Sequence, residues 1–168
     1  VQLSDGVISL RPIETSDAEA HLAGADAELM RRLGGGRGSL DGVIAYFEDC
    51  VASWAAQGPL RTFAITACGD ATLVGTLDIR IGRSYLAAGQ ADLTYGIYPA
   101  WRGHGYATKA VILGCRYLAR TGLAEEVVLR IDPANAASVG VARRARFHYL
   151  RSSDEPGEGP LDWYIQAL

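Results

Sequence analysis

A chain of 168 residues with 49% hydrophobic and 21% charged residues can bury one core of ordinary size and is too apolar for a disordered segment. Its net charge of −3 supplies no global positive field, which argues against nucleic acid or an anionic membrane as partner. No apolar run approaches the ~18 residues of a membrane span, no basic-then-apolar leader opens the chain, and Cys50, Cys68 and Cys115 lack metal-ligand spacing. The expectation is a cytoplasmic protein without a metal, its cysteines buried as free thiols.

Taken in chain order, the segment 7–12 alternates briefly and stops at Pro12, which suits a first strand. Ser16 with Glu19 three residues later forms a capping box, so a short helix is expected from Asp17. Residues 26–33 continue in helical style until Gly34-Gly35-Gly36-Arg37-Gly38 breaks the pattern. Ser39 can cap a longer helix in which Leu40, Val43, Ile44, Phe47, Val51 and Trp54 recur at three- and four-residue steps, ending at Gly58-Pro59. Two β-rich runs, 61–68 and 72–81, are joined by Gly69-Asp70 in the manner of a hairpin, and a third run spans 91–99.

From His104 to Arg120 the period is helical again, with Ala107, Ala110, Val111, Gly114 and Leu118 on one side and Gly122 as the stop. Residues 127–131 are almost continuously apolar, as in a strand covered on both faces. A short helix over 135–145, strands over 147–151 and 161–168, and a polar loop over 152–160 complete the chain. The predicted order is β-α-α-β-β-β-α-β-α-β-β, an α/β protein with helices packed on one mixed sheet, and nothing marks a second domain within 1–168.

The segment from Tyr95 to Thr108 places a glycine-containing turn between a strand and a helix start. The first amides of a helix have no intrahelical acceptor, and the macrodipole adds about half a positive charge there, so the turn suits a phosphate. A P-loop would need Gly-Lys-Ser/Thr after four spacers, and none is present. A dinucleotide fingerprint would need a third glycine where Thr108 stands, and 99–102 separates strand from turn.

These residues resemble the GCN5-related N-acetyltransferase (GNAT) superfamily, whose acetyl-CoA motif Arg/Gln-x-x-Gly-x-Gly/Ala is matched by Arg102-Gly103-His104-Gly105-Tyr106-Ala107. Asn135-Ala136-Ala137-Ser138 matches the second cofactor motif, Asn-x-x-Ser, after the next strand. Leu10-Arg11-Pro12 with Asp17, Gly75, and the segment from Val141 to Phe147 extend the agreement over most of the chain. The likeness is greatest to the ribosomal-protein alanine N-acetyltransferase branch, which commonly has Gly-Phe where this chain has Arg146-Phe147, so a left-handed residue at that helix end is in doubt.

The resemblance implies a twisted mixed central sheet of about seven strands flanked by four helices, with the fourth and fifth strands splayed and coenzyme A in the gap. The amides of Gly103, His104, Gly105, Tyr106, Ala107 and Thr108 would hold the pyrophosphate, with Arg102, Lys109, Arg143 and Arg144 as sources of positive charge. Backbone around Ile97 and Tyr98 would pair with the pantetheine, and Asn135 would hold it or order the loop. Acetyl-CoA is the implied acyl donor and a primary amine the acceptor, attacking directly in a ternary complex. A backbone N–H near Tyr98 would stabilise the oxyanion.

Ser138 is the favoured general acid, against its reading as a helix-start hydroxyl bonding backbone. Asp92 is a candidate base, with Asp154, Glu155 or a water chain as alternatives. His104 is read with its ring in solvent, and His21 and His148 receive no role. A non-catalytic acyl-CoA-binding sensor is the competing function. The acceptor is expected to be a protein N-terminus or a small amine such as an aminoglycoside or polyamine, walled by the first two helices and the 34–38 loop. Asp26, Glu28, Asp41, Glu48 and Asp49 would attract a cation there. Trp163 and Tyr164, on an expected C-terminal edge strand, offer a pairing surface for a homodimer.

Overall fold

In the computed structural model, which describes residues 1–32 and 38–168, the strands are β1 (Leu3–Ser4), β2 (Ile8–Pro12), β3 (Leu60–Ala67), β4 (Leu73–Ile81), β5 (Gln90–Ile97), β6 (Glu126–Ile131), β7 (His148–Glu155) and β8 (Gly159–Ala167). They form one sheet in the order β1-β2-β3-β4-β5-β6-β8-β7. The helices are α1 (Ala18–Gly24), α2 (Ala27–Arg32), α3 (Leu40–Ala55), α4 (Tyr106–Thr121) and α5 (Ala136–Arg144). The two-residue β1 is an addition to the seven expected strands, so the splayed pair of the resemblance is β5 and β6 in this numbering. The Gly34–Arg37 part of the expected glycine loop lies outside the described residues.

Every neighbouring pair is antiparallel except β5 and β6, so the chain must cross over from the end of one to the start of the other, and α4 makes that crossing. Pairing between β5 and β6 is confined to Gln90 with Glu126, Ala91 with Val127 and Asp92 with Val128. Beyond that point β5 stays with β4 to Ile97 and β6 stays with β8 to Ile131, leaving a gap between them. Gly75 fixes the β4 side of this arrangement, because a Cβ there would strike the Gly96 carbonyl.

Strand alternation sorts the core into two faces. Phe63, Ile65, Leu77, Ile79 and Leu93 meet Ala110, Val111, Leu113 and Leu118 of α4. On the other face Ala64 packs with Ile13, Ala18, Val43, Phe47 and Cys50 of the N-terminal helical layer. Burying a side chain of Leu, Ile or Phe size contributes about 1.5–3 kcal/mol, so these two clusters hold the strands at fixed spacing on either side of the gap.

The first helix starts differently from the sequence reading. Asp17, not Ser16 with Glu19, makes the cap: its carboxylate accepts from the Glu14 amide at 2.9 Å and takes a two-point ion pair from Arg11 at 2.8 and 2.6 Å. The Ser16 hydroxyl instead donates to Glu14 at 3.3 Å. The last hairpin is also longer than expected, running to Glu155 paired with Gly159. Polar Ser152, Ser153 and Asp154 belong to the free edge strand β7, where exposed side chains carry no hydrophobic pattern. Pro160 pairs only with Asp154, beyond the reach of β6, so its missing N–H disrupts no second ladder.

That topology corrects the expected dimer surface. The last strand β8 lies inside the sheet between β6 and β7, and Trp163 and Tyr164 are buried within the chain. Cys68 is exposed at the end of β3, unlike the buried Cys50 and Cys115.

At the end of α5, Arg146 keeps the left-handed conformation at φ +66° although it carries a side chain. The Phe147 amide bonds the Ala142 carbonyl at 2.9 Å and the Arg146 amide that of Arg143 at 3.0 Å, a complete Schellman ending. Holding a non-glycine residue there costs about 1–2 kcal/mol. Arg146→Gly is therefore expected to raise stability by about 1 kcal/mol in urea denaturation, less than the full strain because glycine gains unfolded-state entropy. An unchanged or lowered midpoint would contradict the strain.

Candidate active site

The turn after β5 delivers an array of free amides. Gly105 caps α4 in the left-handed region at φ +76°, and Gly103 stands at φ +81°. No protein atom lies within 4 Å of where a Cβ would sit on either, so the requirement is conformational and the space above the turn stays open. Among the described residues nothing accepts from the backbone amides of Gly103 to Thr108. All of these residues except His104 line a cavity of about 830 Å³. The His104 ring turns away, its Nδ1 within 3.0 Å of the Arg102 carbonyl.

Arg102 lines the cavity and also steadies the turn. Its Nε donates to the Ile97 carbonyl at 3.1 Å, and its guanidinium pairs with Asp26 at 2.9 Å. Lys109 is paired with Asp5 at 2.9 Å. The cation turned toward the amides is Arg144, which lines the same cavity and donates to the Thr108 hydroxyl at 3.2 Å. Arg143 does not line it.

A second cavity, of about 630 Å³, adjoins the first. Arg32, Tyr95, Asp132, Asn135 and Ser138 line both, which makes the β5–β6 gap the passage between them. Asn135 serves the α5 start, its side chain accepting from the Ser138 amide at 3.1 Å. The Ser138 hydroxyl makes no hydrogen bond to backbone among the described residues and faces Tyr95. Among the described residues the Tyr95 hydroxyl is buried with no hydrogen-bond partner, and burial raises its pKa against the opposing influence of Ser138, so it keeps its proton. Tyr95 was missed from the sequence as a site residue. Its signal was position alone: it stands three residues beyond the last β5–β6 pair.

Two expected site residues fall elsewhere. The Tyr98 amide donates to the Val74 carbonyl at 2.9 Å, and its ring is buried with its hydroxyl 2.7 Å from His21 Nδ1. Tyr98 therefore lines neither cavity. Because amide direction alternates along a strand, Ile97 and Tyr95 present theirs to the β6 side, and Ile97 lines the first cavity. The free amide at the gap is thus that of Ile97.

Asp92 lines the second cavity but is almost wholly buried among donors. Tyr85 donates to its carboxylate at 2.9 Å, Arg130 stands at 3.6 Å and Arg80 at 4.0 Å. Burial raises its pKa while Arg130 and Arg80 pull the other way. Such a carboxylate anchors the neighbouring arginines from within the cavity wall. Asp154 and Glu155 line neither cavity. Asp41, Glu48 and Asp49 occupy the exposed side of α3, Asp26 pairs with Arg102, and Glu28 pairs with Arg32 and lines the first cavity only.

Burial lowers the pKa of His21 to about 4, with Asp17 opposing. Among the described residues no three of His, Cys, Asp and Glu cluster as a metal site, and no described helix is long and apolar enough to cross a membrane.

A crossover helix that offers free amides beside a splayed parallel pair is the donor cleft of an acyl-transfer enzyme. The model of the acetyltransferase (GNAT) domain family matches residues 8–148, and the chain belongs to that family, as an acetyl-CoA-dependent N-acetyltransferase. No curated protein matches the chain. Its fold is similar to that of the ribosomal-protein-S5-alanine acetyltransferase from Vibrio fischeri, at 13% identity and TM-score 0.80, covering 99% of this chain and 96% of that one. The microcin C7 self-immunity acetyltransferase MccE, in complex with acetyl-CoA and AMP, aligns at 15% identity and TM-score 0.81 over 98% and 94% of the two chains. The aminoglycoside acetyltransferase AAC(6')-Ib, in complex with coenzyme A, aligns at 15% identity and TM-score 0.76 over 95% and 94%.

Gly105→Ala forces a side chain into the left-handed region at the centre of the amide array. It is expected to weaken coenzyme A binding at least about 10-fold by calorimetry, the equivalent of 1.4 kcal/mol, and an unchanged Kd would show that the array is not the anion site. Stability is expected to fall by about 2–3 kcal/mol as pH drops from about 6.5 to about 4, because unfolded His21 binds a proton in that window and folded His21 does not. His21 ring resonances that titrate near 6.5 in the folded protein would contradict this.

Proposed function

We propose that the protein acetylates a primary amine by direct attack in a ternary complex, with acetyl-CoA in the first cavity and the amine in the second. The observation that carries this reading is the single passage where the two cavities meet, bordered by Ser138 and the unpartnered Tyr95 hydroxyl. Acetyl-CoA supplies an electrophilic thioester carbonyl and a thiolate leaving group. The amides of Gly103 to Thr108, with Arg144 beside them, would hold its diphosphate, and the Ile97 amide faces the gap where an oxyanion would need a donor.

The chemistry requires a C–N bond to form, the C–S bond to break, one proton to leave the amine and one to reach sulfur. Ser138 donates to sulfur and Tyr95, held in its neutral form, stands behind it. Water in the second cavity takes the amine proton, since Asp92 is occupied by Arg80, Arg130 and Tyr85. An acetyl-cysteine intermediate finds no support: burial raises the thiol pKa of Cys50, and that of Cys115 to about 12, and Cys68 lines neither cavity. The acceptor on this reading is a protein N-terminus or a small amine, a range supported by the S5-alanine and aminoglycoside acetyltransferases among the structural neighbours.

The test is release of free coenzyme A thiol against a panel of primary amines. Ser138→Ala is expected to lower kcat about 10²-fold and Tyr95→Phe roughly 10-fold at saturating acetyl-CoA. Unchanged turnover in Ser138→Ala would remove Ser138 from the chemistry, and tight coenzyme A binding without release for any amine would favour a non-catalytic binding module.

A further inference from the structure

The charge of the second cavity narrows the acceptor, on the reading that this cavity is the acceptor site. Its wall carries Arg31, Arg32, Arg80, Arg83 and Arg130 against Asp92, Asp132 and Glu158. Most of these charges are already matched. Arg80 lies between Asp78 at 2.8 Å and Asp92, Arg130 is paired with Glu158 at 2.9 Å, and Arg32 with Glu28 at 2.7 Å. Asp132 accepts from the Ala134 amide at 2.9 Å and has no cation partner among the described residues.

Two cations remain. Among the described residues neither Arg31, on α2, nor Arg83, on the β4–β5 connection, has a carboxylate partner. They reach one cavity from two separate elements. On the same wall the Arg130 guanidinium stacks on Tyr85 at 4.0 Å and is tied to Asp92. Among the described residues its Nε is buried without a hydrogen-bond partner.

A wall whose unmatched charges are two guanidiniums and one carboxylate disfavours a polyamine or aminoglycoside. It also leaves an excess of guanidinium donors whose geometry suits carboxylate or phosphate oxygens. A volume of about 630 Å³ is that of a small-molecule site. We propose that the acceptor is a small primary amine bearing a carboxylate or phosphate at its other end, held by Arg31 and Arg83. The nitrogen attacks the thioester carbonyl, coenzyme A leaves as the thiol, and the anionic group is unchanged.

The experiment measures thiol release with small primary amines in charge-matched sets: 4-aminobutyrate against 4-aminobutanamide, O-phosphoethanolamine against ethanolamine, spermidine, and the peptides Ala-Glu-Glu and Ala-Gln-Gln. At least one small anionic amine is expected to exceed its neutral counterpart in kcat/KM by at least about 10-fold, the worth of a charged hydrogen bond. Which of the first two sets shows the preference separates carboxylate from phosphate. In the exposed double variant Arg31→Gln, Arg83→Gln, that ratio is expected to fall toward one, through KM more than kcat. A preference for neutral amines or spermidine, turnover confined to peptides, or a ratio unmoved by the double variant would overturn this acceptor class and leave the acetyltransferase reading standing. Coenzyme A binding with no thiol release for any amine would instead overturn the catalytic reading, and this inference with it.

Discussion

Six consecutive backbone amides, from Gly103 to Thr108, find no acceptor among the described residues, and the rest of the site is arranged around them. They stand exposed or half-buried at the cavity, where a helix N-terminus with free amides favours an arriving anion. The left-handed Gly103 and Gly105 hold the array open, and Arg102, bound to Ile97 and Asp26, fixes it to the end of β5 and the start of α2. Arg144 lines the same cavity and bonds the Thr108 hydroxyl at the helix start.

The same crossover explains why a second cavity exists. A parallel pair joined by a helix needs only enough ladder to set its register, and β5 and β6 keep three residue pairs before each follows its own half of the sheet. The opening exposes residues that ordinary pairing would have covered, Tyr95 on one side and Ser138 across from it. The two cavities thus meet at one passage. The Asp78–Arg80–Asp92–Arg130 network at the second cavity gives that wall a fixed charge pattern.

Much of this was legible in the sequence wherever backbone conformation depends on residue type. The glycines of the turn, the Asn135 cap and the Gly122 stop specify local geometry directly: α4 ends at Gly122 as read but begins at Tyr106 rather than His104, and α5 falls within the span read. Regular apolar spacing likewise gave α3 and the central strands. Edge and terminal elements were harder: β1 is two residues long, and β7 is exposed along nearly its whole length, so neither carries a burial pattern. Asp17 was visible in the family resemblance beside Leu10-Arg11-Pro12, but its cap on the Glu14 amide and its ion pair with Arg11 emerge only from the fold of residues 11–17. The roles of Asp92, Tyr98 and Tyr95 were illegible for a related reason. Whether a strand residue faces a gap, a helix layer or a ring of arginines is decided by neighbours distant in sequence.

Amide chemical shifts of ¹⁵N-labelled protein during a coenzyme A titration test the central claim most directly. The account predicts that the largest shifts, saturating together, belong to Gly103–Thr108, with Ile97 and Tyr95 following and the β7 edge unmoved. Saturating shifts centred elsewhere, with the Gly103–Thr108 amides unperturbed, would contradict it.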